Sequence, residues 1–276
     1  MLIDKDKFQK KVDKLDSFPA FHGILDKFNE MVQDPTISMG QIGDLISQDV
    51  ALSMKILKLV NSAFYGFPGR ISTITHALVL LGYDVVKGLI LSATVFDLMS
   101  EKWADLFKHS LAVSKASGLI CERRSIPDAE EIGLAGLLHD IGKVVLLVEE
   151  PDIYQKVVEG ASKRGIPLYM AEQKLMGFDH SEVAGWLCER WHLPQRLTMP
   201  LTYHHRPAEA EQAAKQVAVV FMADNLVKAL GYGTQPGAKV SPVPDEVTEL
   251  LQIDRDLLAE LVEALENELE MMDVEA

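Results

Sequence analysis

Basic charge is scarce in this chain. Its 276 residues carry 27 Lys and Arg against 41 Asp and Glu, a formal balance of −14 at neutral pH. Affinity for DNA or an anionic membrane draws mainly on Lys and Arg, so nucleic acid and lipid surfaces are disfavoured as partners. Cysteine is nearly absent as well. Cys121 and Cys188 lie far apart and outside any CxxC spacing, which argues against a disulfide framework or a zinc finger and fits a reducing, cytoplasmic setting. Long apolar runs are missing too. The best stretch, Ala77 to Phe96, is interrupted by Gly82, Asp84 and Lys87 and predicts buried helices rather than a membrane span. Met1-Leu2-Ile3-Asp4-Lys5-Asp6-Lys7 turns charged at once, so no secretory leader is expected. There is no nucleotide loop: Gly40-Gln41-Ile42-Gly43 and Gly133-Leu134-Ala135-Gly136 sit inside helical patterns instead of following a strand. Nothing resembles a nucleophile elbow.

What is there is helical. Apolar residues make up 48% of the chain and recur at three- and four-residue spacing, while β-branched alternation between hairpin turns is lacking, so the fold class is all-α. Ser38 can cap a helix carrying Ile42, Leu45 and Ile46, and Asp49 can cap the next, carrying Leu52, Ile56, Leu59 and Val60. Tyr65-Gly66-Phe67-Pro68-Gly69 must be a loop. Helices are then predicted over Ile74–Leu81, Tyr83–Met99, Lys102–Arg123, Glu131–Val148 and Glu211–Leu230, with a series of short helices between 128 and 210 punctuated by Pro151, Pro167, Pro194 and Pro207. Residues 231–244 hold three Gly and three Pro and read as a linker to an acidic C-terminal helix, roughly Asp254–Met272. That helix carries Leu257, Leu258, Leu261, Leu265 and Leu269 at helical spacing, and either packs back on the domain or offers a face to a partner. The division expected from these patterns is an N-terminal helical part (1–100), a helical core (101–230), the linker (231–244) and the C-terminal helix (245–276).

Two short helices within 38–61 invite a helix-turn-helix reading, but only Lys55 and Lys58 are available there for phosphates. The dispersed methionines suggest core filling. The histidines are more informative. Of eight, two pairs stand out: His139-Asp140 and His204-His205. In Leu137-Leu138-His139-Asp140-Ile141-Gly142-Lys143, an apolar helix delivers an imidazole, a carboxylate and an ammonium group, which need partners if they are buried. A divalent metal is one suitable partner, provided a local irregularity turns both neighbours inward. The alternative is a His bonded to a carbonyl and an Asp that caps a helix. His192 reads as a helix-end residue, and His22 and His76 as structural ones.

With His109 in Phe107-Lys108-His109-Ser110 and Asp224 in Phe221-Met222-Ala223-Asp224-Asn225, the His139-Asp140 pair resembles the H…HD…D order of the HD superfamily of metal-dependent phosphohydrolases. His180 in Phe178-Asp179-His180-Ser181-Glu182, and His204-His205 after Tyr203, are similar to the additional histidines of HD-GYP phosphodiesterases. Ile46-Ser47-Gln48-Asp49, Asn61-Ser62-Ala63-Phe64-Tyr65-Gly66, Ile71-Ser72-Thr73-Ile74, Ala77 and Leu81-Gly82 resemble the HDOD domain, an HD-related output domain of bacterial signalling proteins. The likeness runs from about Ser17 to Leu230.

The resemblance implies a multi-helix bundle with an HD-like core, preceded by an N-terminal helical subdomain and placed in regulation. It implies one or two ions, with His109, His139, Asp140 and Asp224 holding the first and Asp140 bridging if a second is held by His180, His204 and His205. Fe, Mn, Ni or Zn suits such nitrogen and oxygen donors. A metal-bound water and a polarised phosphoryl oxygen would make the site a phosphohydrolase, with Asp140 orienting the nucleophile and Lys143 neutralising a phosphate-containing ligand; Arg206 could do the same, although a surface Arg beside a proline is more often only solvated. The HD-GYP continuation is missing, because Arg206-Pro207-Ala208 follows His204-His205 and Gly231-Tyr232-Gly233 comes after Asp224. Two functions therefore stand side by side. One is a signalling module that acts through contacts with a separate protein partner; the other is an active phosphohydrolase. The histidines hydrogen-bonded in a metal-free polar core remain the structural alternative.

Overall fold

A computed structural model describes residues 2–13, 19–61, 71–234 and 238–275. It is all-α, with no strand among the described residues. The expected loop at 65–69 and most of the Asn61–Gly66 motif lie outside them, as does the side chain of His22. The chain forms two compact units. Met1–Asp13 joins Trp103–Ala276 in one, and Lys14–Lys102 forms the other. The opening helix α1 (Lys5–Val12) thus goes with the histidine-bearing unit, although the sequence pattern grouped it with residues 1–100.

The 14–102 unit consists of α2 (Pro19–Gln33), α3 (Met39–Ser47), α4 (Val50–Val60) and α5 (Ile74–Lys102). Ser38 caps α3 in a reciprocal box with Gln41, and Asp49 caps α4 by accepting the Leu52 amide at 3.0 Å. The Asn61 side chain closes the end of α4. It donates to the carbonyls of Leu57 and Ile71 and accepts the Ile71 amide. Ile42, Ile46, Ile56, Val60, Leu78, Leu89 and Ile90 are buried together as this unit's core. α5 breaks at Gly82, whose φ of 81° is open only to a residue without a side chain. Its Ile74–Ala93 stretch is long and apolar enough to cross a membrane, yet more than half of it is buried inside the protein, as in a core helix.

The larger unit adds α6 (Ala104–Arg124), α7 (Ala129–Leu138), α8 (Ile141–Glu149), α9 (Pro151–Arg164), α10 (Leu168–Met176), α11 (His180–Arg190), α12 (Gln195–Tyr203), α13 (Ala214–Ala229), α14 (Asp245–Leu251) and α15 (Arg255–Glu275). α13 is buried without a break from Val217 to Val227, so it has no solvent face and forms the centre of the unit. α6, α7, α12 and α14 pack around it.

Two breaks differ from the sequence reading. The helix expected over Glu131–Val148 is interrupted at His139-Asp140, where Asp140 has φ −93° and ψ 12°. The C-terminal segment is two helices, divided where Gln252 turns left-handed (φ 52°). α15 docks on α6: Leu261, Leu265 and Leu269 are buried, Glu260 pairs with Arg123, and Glu268 pairs with Lys115. Packing back on the domain is therefore the arrangement adopted. The 231–244 segment is also attached, since the Tyr232 carbonyl, the Thr234 hydroxyl and the Ser241 amide all bond to the core.

Candidate metal centre

Five separate segments bring seven side chains to one place. His109 comes from α6 and Asp224 from α13, while His139 and Asp140 come from the break between α7 and α8. His180 opens α11, and His204 and His205 follow α12. All seven are buried, and His205 is the least so at 8% exposure.

The helix ends explain how the rings are aimed. The last carbonyls of a helix lack intrahelical partners, and His139 and His204 each sit just past such an end. Each ring donates from Nδ1 to the carbonyl three residues earlier, Gly136 at 2.7 Å and Leu201 at 2.9 Å. His109 Nδ1 donates to the Tyr232 carbonyl at 2.7 Å. A carbonyl can only accept, so in all three rings Nδ1 carries the proton and Nε2 offers a lone pair to the interior. His180 is held from Nδ1 by the Glu172 carboxylate at 2.6 Å.

The inward atoms then fall into two groups around Asp140. His109 Nε2 lies 3.6 Å and His139 Nε2 3.4 Å from Asp140 Oδ2, and Asp224 Oδ1 lies 3.2 Å from His109 Nε2. On the other side, His180 Nε2 is 3.2 Å and His204 Nε2 3.9 Å from Asp140 Oδ1, while His205 Nε2 is 2.9 Å from His180 Nε2. His109, His139 and Asp224 are close enough together to share one ion, as are His180, His204 and His205, and His139, Asp140 and His204 form a third such group across the two. Buried polar atoms almost always have a partner. Here His109 Nε2, His204 Nε2, Asp140 Oδ1 and Asp224 Oδ1 are buried without one. Four orphaned donor atoms of the right chemistry, aimed at a common space, fit a divalent cation.

Electrostatics agree with that fit. Burial pushes His109 toward the neutral form, and burial together with the neighbouring imidazoles pushes His204 and His205 well below the ordinary histidine range. Burial opposes ionisation of Asp140, but His139 and Lys143 hold its carboxyl well below the usual range. Lys228 and His109 do the same for Asp224. Neutral imidazoles and ionised carboxylates are the forms that bind metal. His180 differs: burial would lower it, but the Glu172 carboxylate raises it to about 9.

Lys143 is buried, with Nζ 2.6 Å from Asp140 Oδ2 and 3.4 Å from the Thr234 hydroxyl. Arg206 is paired with Asp179 at 2.5 Å and with Ser181, and it also lines a neighbouring cleft. His192 and His76 are exposed and outside the cluster. The cleft, of about 880 Å3, is lined in part by Tyr169, Gln173, Thr202, Tyr203 and Arg206, and none of the seven cluster residues lines it. Tyr169 stacks on His205 with ring centroids 4.4 Å apart.

The HDOD domain model matches residues 18–207. This chain belongs to the HDOD family. An HDOD domain protein of unknown function from Geobacter sulfurreducens covers 91% of it at 26% identity, with a TM-score of 0.63 over 88% of that structure. A Shewanella amazonensis SB2B structure, named as a candidate phosphohydrolase, shares the fold at 22% identity with a TM-score of 0.67, covering 94% of this chain and 92% of its own. An uncharacterized Treponema pallidum protein is 29% identical over 79% of the chain and 44% of its own length. The chain spans less than half the length of the curated relatives it matches.

Sequence reasoning missed Glu172, Tyr154, Tyr169 and Lys228 of this HDOD core. A signal for Glu172 existed. Leu168, Glu172 and Met176 recur at four-residue spacing and are all buried, so the charge falls within an apolar stripe.

Proposed function

We propose that this HDOD protein is a bacterial signal-transduction component that acts through contacts with another protein, and that its buried pocket holds two divalent ions of the Fe, Mn, Ni or Zn class. The observation that carries the metal reading is the set of four buried, unpartnered donor atoms: His109 Nε2, His204 Nε2, Asp140 Oδ1 and Asp224 Oδ1. His109, His139 and Asp224 would hold one ion and His180, His204 and His205 the other, with Asp140 lying between the two sets. Ions so placed supply Lewis acidity and a bound water of lowered pKa. The chain's own residues fix the rings of His109, His139, His180 and His204 through Nδ1, keep two carboxylates ionised beside Lys143 and Lys228, and exclude solvent.

One observation favours the second reading, a metal-dependent phosphohydrolase acting on a phosphate ester or nucleotide. The cleft is lined by Tyr169, which stacks on His205, the least buried histidine of the cluster. Elemental analysis of protein purified without a polyhistidine tag separates the possibilities. The expected result is two equivalents of metal, lost in Asp140→Asn, with no phosphate released from mono- or diesters. Metal-free protein at all accessible metal concentrations would refute the metal reading. Turnover that vanishes in Asp140→Asn would replace the regulatory reading with the catalytic one.

A further inference from the structure

The two halves of the cluster are not equivalent in charge. The half formed by His109 and His139 contains the Asp224 carboxylate in addition to the shared Asp140, whereas the half formed by His180, His204 and His205 has three imidazoles and only the shared carboxylate. Removing a divalent ion from water into such a site is costly unless negative charge lies close by. Glu172 lies close by. It is fully buried on α10, one residue type that is rarely found so deep without a purpose-built set of donors. Three donors surround it: the Tyr154 hydroxyl at 2.7 Å on Oε1, and the His180 backbone amide at 3.0 Å and ring Nδ1 at 2.6 Å on Oε2.

The other three aimed rings are held by backbone carbonyls, which orient without supplying charge. His180 alone is held by a carboxylate. A carboxylate behind a ligating imidazole fixes its tautomer, raises its basicity and places a full negative charge one ring away from the ion. We propose that Glu172 is a positioning and charge-supplying residue that sets the affinity of the His180, His204 and His205 half for its ion, and so decides whether the centre is filled with one ion or two. Tyr154 would keep the carboxylate aligned, and Tyr169, three residues earlier on the same helix, packs against His205. α10 thereby serves as the outer support of the second half. This inference rests on the metal reading given above.

The test uses the full, untagged chain stripped by chelator and titrated with Mn2+ by calorimetry. Wild type is expected to show two classes of site. Glu172→Gln, which has nearly the same shape without the charge, is expected to weaken the second class about 10–100-fold and leave the first unchanged. The readout specific to this role is the exchange-coupled two-manganese EPR signal. That signal is expected to appear at two equivalents in wild type and to be absent in Glu172→Gln, where only uncoupled Mn2+ is seen. Equal weakening of both classes, or a full coupled signal in the variant, would overturn the inference. Should wild type take up no Mn2+, the metal reading itself fails, and the inference with it. If Glu172→Gln does not fold, nitrogen-15 NMR of zinc-loaded wild type answers the same question. A protected, strongly downfield Nδ1 proton on His180 is expected, and an unprotonated Nδ1 on that ring would overturn the proposal.

Discussion

Asp179 sits one residue before His180 and makes more bonds than any other buried carboxylate in the unit. Its Oδ1 accepts the amides of Ser181 and Glu182 at 3.0 and 3.1 Å as the cap of α11, and the Ser181 hydroxyl at 2.5 Å. Its Oδ2 accepts Gln173 at 2.9 Å and Arg206 at 2.5 Å. Asp179→Ala removes all of these. Losing the cap costs about 1 kcal/mol. Breaking a buried ion pair costs about 3–5 kcal/mol, and since the Arg206 side chain is 22% exposed and can regain water, about 2–3 kcal/mol is the expected share. The sum, about 3–4 kcal/mol, corresponds to a fall in Tm of about 10 °C for a unit of this size. Asp179→Asn keeps a cap acceptor and should lose about half as much. Urea melts of metal-free protein give the measurement without linkage to bound ions.

The pH dependence has a definite sign. Burial raises the Asp179 carboxyl, but the charges of His180 and Arg206 and the Gln173 and Ser181 hydrogen bonds outweigh it and hold the group below its ordinary value. Its contribution is therefore complete above the unfolded-state value of about 3.9 and is lost as pH falls through the lower folded value. The gap between wild type and Asp179→Asn should be constant from pH 7 to 5 and narrow below about pH 4. Stability of Asp179→Ala within about 0.5 kcal/mol of wild type at pH 7 would refute this account.

Two further outcomes are expected. Leu265, 1% exposed on the docked face of α15, should cost about 2–5 kcal/mol when changed to Ala; an unchanged urea midpoint would mean that the α15 docking contributes nothing. Tyr169→Ala, which uncovers His205, should speed loss of bound metal to a chelator while Tyr169→Phe leaves it unchanged, as followed by stopped-flow with a colorimetric chelator. Equal rates for the two variants would remove Tyr169 as a barrier to exchange.

Much of the architecture was legible because local chemistry decided it. Ser38 with Gln41, Asp49 and Gly82 mark ends and a kink that depend on residues within a few positions. His139-Asp140 and His204-His205 stood out as pairs, but their convergence with His109, His180 and Asp224 was legible only through resemblance, since no spacing rule joins α6 to α13. The interruption at His139-Asp140 left no trace in periodicity, because apolar residues continue on both sides of it. Gln252 is similar, as a left-handed turn at a non-glycine carries little local signal. Lys228 stands four residues after Asp224 on one helix, so their pairing at 2.5 Å follows a spacing that the sequence does display. Residues 231–244 have the composition of a spacer, but their backbone groups satisfy buried side chains, which composition does not encode.

The placement of α1 has a topological consequence. Phe8 stacks on Phe178 with centroids 5.4 Å apart, the Leu2 amide bonds to the Leu175 carbonyl at 2.7 Å, and Arg190 bonds to the Asp13 carbonyl. In sequence, then, residues 14–102 are an insert within the unit that bears the histidines. Such nesting makes folding asymmetric: the insert is contiguous and can order itself, whereas the outer unit must join two pieces across it, at an entropic cost that grows only slowly with the length spanned. A fragment starting at residue 103 would keep every ring of the cluster, yet would bare the aromatic surface immediately before the turn that launches His180.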